Sequence, residues 1–191
     1  SFFNIFSSNP PIVIFSPSRR VRNNTTKDTL ENIKETKEVV INIVTKKLVE
    51  QASLSSIEFP SDVDEFIKSG LTAIPSEIIL PKRVNESPIQ LECKVNDIIS
   101  LGNNGGAGNL IICEIVLIHI NKNILNIDNQ IDPNKLQLVG RLGQNWYCDA
   151  FNNSLFEINK PPTTIGIGFD CIPNEIKNSL ILNQNDLAKL A

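Results

Sequence analysis

The chain of 191 residues has no methionine, one histidine, one tryptophan and one tyrosine, and only four cysteines. Cys93, Cys113, Cys148 and Cys171 form no C-x-x-C pair, and with His119 the lone imidazole a metal site lacks ligands at workable spacing. The cysteine scatter reads as buried or half-buried thiols in a reducing compartment, not as a disulfide framework. No apolar run reaches the roughly 20 residues of a membrane span. The one from Leu110 to Ile120 is broken by Glu114 and His119. No signal-peptide pattern is present, so the expected location is the cytoplasm. A formal net charge of −3 leaves no dominant basic field and argues against nucleic acid or an acidic membrane surface as a partner. Gly166-Ile167-Gly168 does not extend to a dinucleotide fingerprint, because Cys171 stands where the third glycine is needed and no strong strand precedes it.

What is present begins near the N-terminus. Ile12, Val13, Ile14 and Phe15 make a continuous apolar run between Pro10-Pro11 and Pro17, which predicts a strand buried on both faces. Thr25-Thr26-Lys27-Asp28-Thr29-Leu30 then opens a helix, where backbone N–H groups, hydroxyls and one ammonium collect. That order of parts suits a phosphorylated cofactor. Arg19, Arg20, Arg22 and Lys27 form the densest basic cluster, although such a run is by default a solvated surface. Thr26 and Thr29 serve equally well as helix caps, which is compatible with phosphate binding because a helix start offers its N–H groups to either.

The length fits one domain with an extension, enough to bury about 70% of the surface exposed by the unfolded chain. The pattern predicts a helix over Lys27 to Lys37, a β-branched strand over Val39 to Val44, and a second helix capped by Thr45. Phe59 to Pro88 reads as an excursion carrying a short D-E-F-I-K helix. From Ile89 the alternation is strict, with Ile89, Leu91, Cys93 and Val95 on one face. Gln90, Glu92, Lys94 and Asn96 form the other, expected to be wet. The glycines from Gly102 to Gly108 join this strand to Leu110 to Ile120 as a hairpin, and His119 reads as a structural histidine within it. A short helix follows Asp132-Pro133, a closing strand is expected near Leu155 to Ile158, and weak helices over Pro173 to Ser179 and Asp186 to Leu190.

In this order, S-F-F-N, S-S-N-P-P, F-S-P-S-R and T-T-K-D-T, then E-S-P-I-Q-L-E-C-K-V, G-G-A-G-N-L-I-I-C-E, V-G-R-L-G-Q-N-W-Y-C and G-I-G-F-D-C-I-P-N-E-I-K-N-S, nearly the whole chain resembles the flavin reductase-like family of FMN-binding split barrels. The resemblance implies a mainly β, six-stranded antiparallel split barrel over residues 1–160 and a C-terminal extension over 161–191 that packs on the barrel or on a second subunit of a homodimer. It also implies a further strand pair ahead of Ser1, whose absence is expected to leave the strand after Pro11 without a neighbour. The implied cofactor is FMN, with NAD(P)H as co-substrate. Ser1, Phe2 and Asn4 are then expected along the ring and ribityl chain, and Ser16, Thr26, Lys27 and Thr29 around the phosphate with Arg19 nearby. Asn109 stands where relatives carry a histidine after the glycine loop, which makes it a weaker flavin or substrate contact. Arg141, Trp146 and Tyr147 lie in a segment that approaches the flavin across the dimer, although both aromatics read equally well as packing anchors. The implied activity is transfer of hydride from NAD(P)H to flavin and on to a second acceptor, with no catalytic acid, base or nucleophile required. Two alternatives remain open. One is a flavoredoxin-like electron-transfer protein with permanently bound FMN and a redox protein partner; the other is a barrel binding module without flavin.

Overall fold

The apolar run after Pro11 forms strand β2 (Pro11–Phe15), as its β-branched residues favour, with Val13 fully buried. The computed structural model describes residues 2–60, 63–158 and 168–190. Ahead of β2 lies β1 (Phe3–Ser8), which pairs with it antiparallel from Phe3 opposite Phe15 to Ser8 opposite Pro11. The expectation that β2 lacks a neighbour is therefore corrected, because β1 covers one edge and β7 (Asn109–Ile120) the other, with Val13 opposite Cys113. The S-F-F-N-I-F-S-S segment, assigned from sequence to cofactor contacts alone, is itself a strand.

β6 (Ile89–Ser100) and β7 form the long expected hairpin, and β3 (Glu38–Asn42) pairs with the start of β6. The resulting antiparallel sheet has five strands in the order β1-β2-β7-β6-β3. Helix α1 (Asp28–Thr36) places Leu30 and Ile33, three apart and so on one face, against Val13, Leu91, Cys93, Ile111 and Cys113. Burying a side chain such as Leu30 stabilises the fold by about 1.5–3 kcal/mol. The helix ends where Lys37 turns left-handed at φ 57° and its N–H closes on the Ile33 carbonyl, which sends the chain into β3.

The wet face expected of β6 is only half present. Lys94 and Asn96 are exposed, but Gln90 and Glu92 are buried, Glu92 completely. The cause is the excursion, which includes α2 (Val49–Leu54), α3 (Glu65–Ser69) and the short pair β4 (Ala73–Ile74) and β5 (Arg83–Val84). The Glu92 carboxylate accepts the N–H groups of Glu77 and Ile78, each at 2.8 Å, and of Ile79 at 3.3 Å, so the strap 77–79 lies on the sheet. Gln90 donates to the Val84 and Ser87 carbonyls and accepts from Arg83 Nη1, all at 2.8 Å. The first half of this polar face is thus dry, with its donors and acceptors satisfied by backbone groups and by the Arg83 guanidinium.

Three further expectations change. Thr45 caps no helix; α2 starts after Leu48, while Thr45 is buried and makes an antiparallel bridge to Leu138. Leu155 to Ile158 has no strand. After α4 (Pro133–Leu136), capped by Asp132, the pairing is instead between β8 (Leu138–Gly143) and β9 (Trp146–Ala150). Positive φ at Gly143 and Gln144 makes the turn. Cys148 and Cys171 are exposed, unlike the buried Cys93 and Cys113.

The chain divides into two compact units, Ser1–Leu155 and Phe156–Ala191. In the second, α5 (Asn174–Lys177) and α6 (Gln184–Leu190) match the two helical patterns, with Ile172 and Leu187 buried and Leu180 and Ile181 exposed. Ser1 and the Gly166-Ile167 part of the glycine pattern lie outside the described residues. No helix among the described residues is long and apolar enough to cross a membrane.

Candidate functional site

The segment 16–27, between β2 and α1, is held from beneath by the β6–β7 loop. Arg19 N–H donates to the Ala107 carbonyl at 2.8 Å, and Gly106 N–H returns to the Arg19 carbonyl at 3.0 Å. Two glycines allow this close approach. A Cβ on Gly105 would lie 2.9 Å from the Val21 carbonyl oxygen, and one on Gly108 would lie 2.5 Å from Ser16 Oγ. Asn109 is buried and donates its amide to the Pro17 carbonyl at 3.1 Å, while Asn24 reaches the Asn103 carbonyl at 2.9 Å.

Two arginines then set the shape of the segment. Arg19 folds back on Asn24, with Nε to the side-chain oxygen at 2.8 Å and Nη2 to the carbonyl at 2.5 Å. Arg20 donates to the Thr26 carbonyl and to Thr25 Oγ1, and pairs with Glu58 at 3.2 Å and Asp28 at 3.8 Å. The guanidinium ties the loop before α1, the first residue of α1 and the segment after α2 together, as its forked donors permit.

Lys27 is the residue before the helix proper. Its backbone is extended and its carbonyl accepts from the N–H groups of Leu30 and Glu31. The Asp28 and Thr29 N–H groups have no acceptor among the described residues, and they sit at the positive end of the helix. Lys27 and Thr29 line a cleft of about 460 Å³ together with Arg20, Asp28, Phe59, Asp64, Glu65 and Phe66. Glu65 titrates above the ordinary carboxylate range, chiefly through burial and then through the Asp28 charge. This donor set suits a phosphate: an ammonium, a hydroxyl and two unbonded N–H groups at a helix start of nine residues.

Of the residues singled out by sequence, the fold brings Lys27 and Thr29 together in this cleft. Thr26 is adjacent, and its hydroxyl is the first influence holding the Glu31 carboxyl below its usual range. Ser16 lies under Gly108, and Arg19 and Asn109 support the segment without lining the cleft. Phe2 and Asn4 sit on the outer edge of the sheet. The Phe2 carbonyl accepts from Ser16 N–H at 3.0 Å, and Asn4 Oδ1 from Ile5 N–H at 2.8 Å. Trp146 and Tyr147 are on the β8–β9 hairpin, where Arg141 stacks over the Tyr147 ring at 5.2 Å and donates to its hydroxyl at 2.5 Å. Sequence reading missed the part of Arg20 and of Glu58, Phe59 and Asp64 to Phe66 in the cleft lining. Their only linear signal is a run of acids beside aromatics, E-F-P and D-E-F.

Comparison with known proteins bears on the family and the fold. The flavin reductase like domain matches residues 1–132. A protein of Aquifex aeolicus is 33% identical over 158 residues, spanning 83% of this chain and 78% of its own. Nitrilotriacetate monooxygenase component B of Bacillus cereus superposes with a TM-score of 0.74 at 29% identity, covering 83% of this chain and 77% of that one. A split-barrel protein of Shewanella frigidimarina, assigned as a flavin reductase, gives 0.68 at 26% identity over 86% of this chain and 76% of that one. The fold is that of flavin-related oxidoreductases, and the chain belongs to the flavin reductase-like family.

Proposed function

We propose that the chain is an FMN-dependent oxidoreductase that draws reducing equivalents from NAD(P)H and passes them to a second acceptor. The observation carrying this reading is the cleft at the start of α1, which Lys27, Asp28 and Thr29 line and where the N–H groups of Asp28 and Thr29 have no acceptor among the described residues. The Lys27 ammonium and Thr29 hydroxyl bind the phosphate, Arg20 fixes the backbone that presents them, and the glycine loop fixes Arg19 and Arg20 in turn. Bound flavin supplies reversible electron transfer, and the protein supplies placement and electrostatics. The name of the Bacillus cereus relative, one component of a monooxygenase, favours an acceptor outside this chain.

The proposal includes a homodimer. Phe2, Asn4 and Trp146 are exposed on the β1 edge and the β8–β9 hairpin, where a second copy would enclose them with the ring, and Ser1 and Tyr147 belong to the same set. It also includes a sixth barrel strand, β8, continuing from the Thr45–Leu138 bridge, and a cytoplasmic location.

The test is a visible spectrum of the pure protein before and after NADH, joined to FMN titrations. Wild type shows a bound-flavin spectrum that bleaches on NADH. Lys27→Ala weakens FMN about 10- to 150-fold while riboflavin, without the phosphate, binds both alike. No flavin spectrum after FMN addition points to a binding module; retained FMN that NADH and NADPH fail to bleach points to electron transfer from a protein donor.

A further inference from the structure

The β6–β7 loop holds the chain's one Asn-Gly pair, Asn104-Gly105. The Asn104 carbonyl accepts from Ala107 N–H at 3.0 Å, which closes a turn with Gly105 and Gly106 at its centre and Gly106 at φ 89°. Within this turn the Gly106 and Ala107 N–H groups are both committed, one to the Arg19 carbonyl and the other to Asn104. Gly105 N–H is left open. It has no acceptor among the described residues, and the Asn104 side chain has no hydrogen-bond partner there. Both residues are exposed, and a glycine has no side chain to keep its backbone nitrogen away from the preceding amide. The two Asn-Ser pairs, also with a small second residue, differ in this respect. Ser154 N–H donates to the Phe151 carbonyl at 3.3 Å and Ser179 N–H to the Ile176 carbonyl at 3.1 Å, so each nitrogen is held away from its asparagine.

We propose that Asn104 is a site of spontaneous covalent modification, at which the Gly105 nitrogen converts the side-chain amide to isoaspartate or aspartate, and that the change loosens the segment 16–21. The backbone nitrogen of Gly105 loses its proton to solvent base and bonds to Asn104 Cγ, closing a succinimide, while the side-chain nitrogen takes up a proton and leaves as ammonia. Water then opens the ring at either carbonyl. In sum one water is consumed, one ammonia is released, no electron changes hands, and the chain gains one negative charge. In the isoaspartate product the main chain runs through the former side chain and is one carbon longer. That carbon enters beside Gly105, where even an added Cβ would lie 2.9 Å from the Val21 carbonyl oxygen, and next to the Gly106 N–H that holds the Arg19 carbonyl at 3.0 Å. Asparagine is among the thermally labile residues, and this one sits in the turn that supports the start of the cleft. The effect on FMN rests on the functional reading above; the modification does not.

The experiment incubates the full chain and its Asn104→Gln variant for days in warm, mildly alkaline buffer, then reads peptide masses, the urea midpoint and FMN affinity. Glutamine keeps an amide but closes the corresponding ring far more slowly, and no hydrogen bond is lost because the Asn104 side chain makes none. Wild type is expected to lose most of its Asn104 amide as two chromatographically distinct products, while Asn153 and Asn178 keep theirs. The aged wild type should unfold at lower urea than fresh protein and bind FMN about 3- to 10-fold more weakly, with aged Asn104→Gln unchanged in both. If Asn104 persists in the folded chain while the same peptide, released first, converts, the site is overturned. Conversion with an unchanged urea midpoint overturns the loosening of the segment. FMN binding by Lys27→Ala equal to that of wild type removes the phosphate reading alone, since peptide mass and urea midpoint read this site without flavin.

Discussion

Glu92 is the residue whose role linear patterning inverts. Alternation places it on a solvated face, yet it is fully buried and joins β6 to the strap 77–79 and to His119, whose Nε2–H donates at 2.7 Å. Burial alone pushes its carboxyl up, the largest single influence, but the N–H groups of Glu77 and Ile78 and the His119 ring together outweigh it, and the net shift is down from 4.5. A carboxyl depressed in the folded state contributes stability above its unfolded pKa and loses it as pH falls through the folded one. Glu92→Gln is therefore expected to cost about 1.5–3 kcal/mol at neutral pH. In urea unfolding, the gap between wild type and variant should be constant from neutrality to about pH 5 and narrow below pH 4. A gap independent of pH down to 3 would mean that the carboxylate charge does not hold the strap.

At the scale of elements, the β6–β7 loop and the segment 16–21 form one unit, because the glycines remove side chains where two backbones meet. Gly105→Ala brings a methyl against the Val21 carbonyl at 2.9 Å and the Arg20 carbonyl at 3.2 Å, neither of which is free to rotate away. The expected cost is about 1–3 kcal/mol in urea unfolding, with weaker FMN binding because Arg20 is displaced from the Thr26 carbonyl. Gly108→Ala meets chiefly the Ser16 hydroxyl, so Ser16→Ala in the same chain should restore its stability. Recovery of Gly108→Ala without the second change, or an unaltered Gly105→Ala protein, would show that the loop is not packed as described. The hairpin itself was readable from alternation and the glycine cluster, whereas its use as a support was not, since contacts between residues 16–21 and 105–109 leave no periodic trace in either segment.

For the whole molecule, the proposed homodimer can be tested at the exposed apolar groups. Ile5 and Phe6 on the β1 edge are 62% and 64% exposed, and Leu180 and Ile181 in the second unit are almost wholly so. A sheet edge with such side chains is prone to pair with another chain unless it is covered. Light scattering at micromolar concentration should give about twice the 21.2 kDa of the chain. Ile5→Lys or Leu180→Lys should shift it towards the monomer mass with the circular dichroism spectrum retained. A monomer mass for the wild type would remove the dimer from the functional proposal.

The sequence alone determined the parts whose physics is local. The apolar run Ile12 to Phe15, the helix over Asp28–Thr36 with Leu30 and Ile33 on one face, and the β6–β7 hairpin follow from propensity, periodicity and glycine. The order of motifs determined the family, and the Lys27–Thr29 helix start was legible because one turn carries its own donors. Only the tertiary structure decided which distant groups share a space. It buried Glu92 and Gln90 under the excursion, gave β2 a partner in β1, and placed Arg20, Asp64 and Glu65 around the cleft at the start of α1. Those relations depend on long-range packing and on the cancellation of charge between segments. Neither is encoded in the spacing of residues along the chain.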